Sequence, residues 1–147
     1  MMVSKFNCEG YYDPTVYEAL VQVEKEERAA RVAAAYRPLV YICSPYAGDT
    51  QKNTYRARAF SRFAVEKNCI PMAPHLLFPQ FVDEATERWL GLKMGIVLLS
   101  KCEQVWVFGD VISEGMAAEI AKAKKQHKRI RYFTEDLKEV GHEDSIW

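Results

Sequence analysis

Three stretches of this chain carry residue types at spacings suited to chemistry. In GDVISEGMAAE (109–119), Asp110 precedes a helix that Ser113 opens, with Gly115 in its first turn. The free amides and dipole of such a helix start favour a phosphate or carboxylate. Glu119 follows about a turn and a half further on, beside Met116, Ala117 and Ile120. Facing a cleft among such neighbours, an unpaired carboxylate is costly unless it has a task. Facing outward, it would pair with Lys122 three residues on, and spacing alone leaves both orientations open. The loop SPYAGDT (44–50) combines the hydroxyl of Ser44, the rigid Pro45, the aromatic Tyr46 and Gly48. It can set backbone amides and an aromatic wall beside a flat or anionic ligand, or simply connect a strand to a helix capped by Asp49. His75 in PHLLFPQ (74–80) is either a ligand contact or a hydrogen-bonded structural histidine.

Other chemistries find little support. Cys8, Cys43, Cys69 and Cys102 form no CxxC pair, so no zinc site is expected, and they read as small buried hydrophobes of a reducing compartment. Neither a metal nor a cofactor is called for. Twenty Lys plus Arg balance twenty Asp plus Glu, so net charge demands neither a nucleic acid polymer nor an anionic membrane. The cluster Lys122, Lys124, Lys125, Lys128 and Arg129 falls around a helix C-terminus, where cations are favoured, and reads as a solvated face. No basic region followed by an apolar run and a cleavage site opens the chain, which gives a cytoplasmic expectation. The apolar stretch Trp89 to Leu99 is too short to span a bilayer and carries Lys93. It reads as a buried helix whose Gly91 and Gly95 allow close approach to a sheet.

The elements that must position these residues follow from periodicity. At 147 residues, 49% hydrophobic and 27% charged, the chain has the balance of one folded domain. PLVYICS (38–44) suits a strand covered on both faces. Asp49 or Thr50 caps a helix to about Lys67, with Tyr55, Ala59, Phe63 and Ala64 inward. CIPMAP (69–74) is a second strand, followed by a loop over 75–83 and the apolar helix over 86–101. QVWVFG (104–109) is a third strand, a helix runs from Ser113 to about Gln126, and RIRYF (129–133) is a fourth strand. Asp13-Pro14 starts an earlier helix with Val16, Leu20 and Val23 on one face, an arm packed on the domain or on a second subunit. The organisation is therefore a helical arm (1–37), an α/β domain (38–133) and a polar tail (134–147). The expected fold is α/β and Rossmann-like (flavodoxin-like), with a small parallel sheet of about four strands flanked by helices. Ligands of such sheets sit outside the carboxyl ends of the strands, where all three chemical stretches fall.

YICSPYAG, CEQVWVFG and ISEGMAAEI together resemble the nucleoside 2-deoxyribosyltransferase-like superfamily, most of all its branch common in Gram-positive bacteria and their mobile elements. The resemblance covers about residues 38–133. It implies a homodimer or larger homo-oligomer whose subunits complete each other's sites, acting on a nucleoside or nucleotide. In active members a glutamate matching Glu119 attacks the anomeric carbon of a 2-deoxynucleoside, and the sugar stays covalently held until another base or water takes it. Tyr41 resembles the hydroxyl that orients this glutamate. Ser113 matches a position that is acidic in the transferases but serine in related deoxynucleotide hydrolases, where it helps select a 5′-phosphate. The transferases also carry an aspartate that passes a proton to the leaving base. Here GLKMGIVLLSKC has no acid near the matching Met94 or Gly95, leaving Asp83, Glu84, Glu87 and Asp110 as candidates. The expected activity is N-glycosidic cleavage or transfer on a 2-deoxynucleoside or its 5′-monophosphate. The alternatives are a nucleotide-binding protein that senses or sequesters its ligand, and an oligomeric scaffold. Either ligand-binding reading requires Glu119, Tyr41 and Ser113 to meet in one pocket walled by Tyr46 and His75.

Overall fold

The computed structural model of the protein describes residues 14–141. The chain forms two compact units, Met1–Tyr36 and Arg37–Trp147. Within the first lies helix α1 (Pro14–Ala33), which carries Val16, Leu20 and Val23. Its expected cap Asp13, like Cys8, lies outside the described residues.

The second unit runs β1 (Leu39–Cys43), α2 (Thr50–Glu66), β2 (Ile70–Met72), the short α3 (Pro74–Leu77) and a 3-10 turn (Phe78–Gln80). It continues with α4 (Arg88–Lys101), β3 (Gln104–Phe108), α5 (Glu114–Lys125), β4 (Arg129–Phe133) and β5 (Glu139–Val140). The sheet order is β2-β1-β3-β4-β5, with every pairing parallel except the last. That is the flavodoxin-like winding, whose direction reverses between β1 and β3 and opens a crevice at their carboxyl ends.

Alternation along the strands divides the core in two. Val40, Ile42, Trp106, Phe108 and Phe133 pack toward Phe60 and Ala64 of α2, where Phe60 stacks on Phe108 at 4.3 Å between centroids. Tyr41, Cys43, Val105 and Val107 face the other way, onto Leu99 of α4 and Met116, Ile120 and Ala123 of α5. Cys43, Cys69 and Cys102 are all buried. Asp49 caps α2 by accepting from the Lys52 amide, after a turn at Gly48 whose φ of 96° favours glycine.

Four details depart from the sequence expectation. First, α2 buries Ala57, Phe60 and Ala64, while Tyr55 and Ala59 point outward. Phe63 and Ala64 do turn inward, Phe63 with its ring 5.3 Å from Phe133, and Phe60, which stacks on Phe108, takes the place expected of Tyr55 and Ala59. Second, α4 is not buried all round. Gly95 and Leu99 face inward, whereas Trp89, Leu92 and Val97 are exposed, because a helix on one face of a sheet can cover only one stripe. Third, part of the loop after β2 is helical, since Pro74 sits where a first turn accepts proline. Fourth, the tail supplies β5, held antiparallel to β4 by Arg131, whose Nε and Nη2 reach Glu139 at 3.0 and 2.6 Å. Two residues are too few for a period to register in the sequence.

Candidate functional site

At the carboxyl ends of β1 and β2, and beside the start of α5, lies a cavity of about 660 Å³. The loops after β1 and β2 and the start of α4 form the rest of its wall. Its floor is Tyr41, fixed by the alternation of β1 onto the same side as Cys43; both are at most 1% exposed. The Tyr41 hydroxyl lies against α4 at Gly95, where an added Cβ would stand 3.5 Å from it.

Glu119 enters from α5. Met116, Ile120 and Ala123 form that helix's buried stripe, and position 119 lies beside it, so the carboxylate turns inward rather than toward Lys122. Its Oε2 is buried and has no hydrogen-bond partner. Burial pushes the Glu119 carboxyl up to about 7, outweighing the nearby Cys43 thiol and Tyr41 hydroxyl, which favour the charged form. In return, burial and the Glu119 charge drive both the Tyr41 hydroxyl and the Cys43 thiol well above their usual ranges. Cys43 also sits one turn of α5 below the acid, its Sγ 3.9 Å from the Met116 carbonyl oxygen. The result is one ionisable carboxylate between two groups that stay protonated, on the wall of an open cavity.

Ser113 caps α5 by accepting from the Met116 amide at 3.2 Å, and with Gly115 and Met116 it lines the cavity. Opposite, Tyr46 and His75 form a stacked pair, with centroids 4.9 Å apart and planes 11° from parallel. His75 Nε2 lies 2.7 Å from the Ser44 carbonyl oxygen, and burial lowers the ring's pKa. Ser44 itself is 2% exposed, and its hydroxyl oxygen has no partner.

Tyr41, Ser44, Tyr46, His75, Ser113, Gly115, Met116 and Glu119 thus line one cavity, whereas Pro45, Gly48 and Asp110 do not. Gly48 serves the turn into α2, and Asp110 follows the turn at Gly109, whose φ is 102°. Of the acids considered as proton donors, Glu84 lines the cavity while Asp83, Glu87 and Asp110 do not. Sequence reasoning passed over Cys43 as a plain core residue, although its period-2 relation to Tyr41 puts both on one face. It also passed over Phe78, from the turn after α3, and Arg88 and Leu92, from α4, all of which line the cavity. No group of three or more potential metal ligands occurs among the described residues, and no helix among them is long and apolar enough to cross a membrane.

Residues 38–133 match a family model described as "Domain of unknown function (DUF7768)". No curated protein matches the chain. Among solved structures, a 2-deoxyribosyltransferase from the psychrotolerant bacterium Bacillus psychrosaccharolyticus superposes with a TM-score of 0.55 at 14% identity, over 65% of this chain and 72% of that one. A 2-desoxiribosyltransferase from Leishmania mexicana gives 0.48 at 18% identity, over 66% and 64%. At such identities the first likeness is one of fold.

Proposed function

The chain belongs to the DUF7768 family, and on that premise we propose that it cleaves or transfers the N-glycosidic bond of a 2-deoxynucleoside or its 5′-monophosphate, with Glu119 as nucleophile. One observation carries the reading: a carboxylate with an unpartnered buried oxygen faces a small-molecule cavity between the Tyr41 hydroxyl and the Cys43 thiol. An acid that costs this much to bury and has no counter-charge is poised to form a bond rather than a salt bridge. In the proposed step a Glu119 oxygen attacks the anomeric carbon, and the base departs with the electron pair of the broken carbon–nitrogen bond and takes a proton from solvent water in the open cavity. The glycosyl ester then passes its sugar to water or to a second base. Tyr41 orients the carboxylate, and Ser113 with the free amides of α5 offers donors to a 5′ substituent. The likeness of fold to a 2-deoxyribosyltransferase supports the same direction. Copies of the chain assembling around the site, as the resemblance implies, belong to this proposal too.

A second reading, a nucleotide-binding protein without turnover, rests on Gly95. Against the Tyr41 hydroxyl stands a residue without a side chain, and no acid occupies that stretch of α4. Loss of a general acid removes a factor of about a hundred to ten thousand in rate. Incubation with deoxynucleosides and their monophosphates, followed by chromatography of released base, decides between the two. The enzyme reading expects release that rises with pH through about 7, as Glu119 ionises, and that vanishes in Glu119→Gln. Ligand-induced thermal stabilisation with the nucleotide recovered intact supports the second reading instead.

A further inference from the structure

The geometry points to His75 as the residue that selects the base, accepting a hydrogen bond from a nucleobase amino group; this rests on the nucleoside reading above. A backbone carbonyl can only accept, so the 2.7 Å contact with the Ser44 oxygen puts the ring proton on His75 Nε2. With that proton committed, Nδ1 of the neutral ring is an acceptor, and the lowered pKa keeps the ring neutral. The contact with Ser44 uses Nε2 alone, and His75 lines the cavity, so Nδ1 is the ring nitrogen left to meet a ligand there. The ring cannot turn away freely, because it is stacked 4.9 Å from Tyr46 as well as tied to Ser44.

Topology gives the acceptor its place relative to the sugar. Glu119 stands on α5, which follows β3 on one side of β1, whereas His75 follows β2, on the opposite side of β1. A nucleoside with its anomeric carbon at Glu119 therefore extends its base toward β2, between the apolar Pro74 and Phe78 and the Tyr46–His75 pair. The group that projects farthest from the sugar is the exocyclic substituent at position 6 of a purine or 4 of a pyrimidine. An amino group there, as in adenine or cytosine, donates to Nδ1. A carbonyl there sets two acceptors against each other. His75 thereby favours amino-bearing bases, a selectivity independent of the chemistry at Glu119.

The test is calorimetric binding to the Glu119→Gln chain, in which no turnover consumes ligand. Two matched pairs are compared: 2′-deoxyadenosine with 9-(2-deoxyribosyl)purine, and 2′-deoxycytidine with the 2-pyrimidinone deoxyriboside, each second member lacking only the amino group. For at least one pair the amino compound should bind about tenfold tighter, the value of one hydrogen bond. Adding His75→Phe, which keeps a flat ring but removes the acceptor, should bring that ratio near one. Equal binding within both pairs overturns the role of His75 and leaves the nucleoside reading standing. A ratio that survives His75→Phe does the same, since another group must then read the amine. Failure of all four compounds, and of their 5′-monophosphates, to bind overturns the nucleoside reading and this inference with it.

Discussion

Replacing Glu119 with glutamine should stabilise the fold in alkaline buffer and much less in acid. The folded carboxyl keeps its proton up to about pH 7, while an unfolded glutamate releases it near its ordinary value of 4.5. Between those values the folded state binds more protons, so the stability contributed at this site falls as pH rises through the window. The gap is roughly 2.5 pH units, and at about 1.36 kcal/mol for each it amounts to about 3 kcal/mol. Water in the cavity screens the exposed side of the carboxylate and brings the expected effect to about 2–3 kcal/mol. Glutamine keeps the shape of the protonated acid and does not ionise, so it escapes this cost. Urea unfolding of both chains at about pH 5 and about pH 8.5 supplies the assay. The variant should gain about 2–3 kcal/mol on the wild type between the two conditions, with the His75 contribution cancelling because both chains share it. Parallel pH dependences, agreeing within about 0.5 kcal/mol, would show the Glu119 carboxylate to be solvated and refute the reasoning.

Two further outcomes probe the frame around the site. Ser113→Ala removes the hydroxyl that accepts from the Met116 amide and should cost about 1 kcal/mol in urea unfolding, whereas Ser113→Asp, which caps equally well, should stay close to the wild type. Trp106→Ala should cost about 3–5 kcal/mol in the same assay. Its ring is 1% exposed, packs at 5.0 Å from Phe133 and carries Arg131 over its face at 4.8 Å.

What was legible in the sequence is what short-range rules decide. The run RIRYF became β4 over the residues expected, and Ser113 and Asp49 cap α5 and α2, because strand propensity and capping act within a few residues. The order of strands and helices, the parallel sheet and a cavity at its carboxyl ends follow from that alternation and the handedness of crossovers. Tertiary structure alone decided rotation and partnership. On α2 the expected Phe63 and Ala64 face the core, while the stack on Phe108 brings in Phe60 in place of Tyr55 and Ala59. Glu119 had two orientations open to it, and burial of Met116, Ile120 and Ala123 against the sheet turns it toward Tyr41 and Cys43, some 76 to 78 positions earlier in the chain. Whether a carboxylate is a surface charge or a desolvated acid near pH 7 depends on which atoms exclude water from it. Those atoms come from β1, brought near only when the sheet closes.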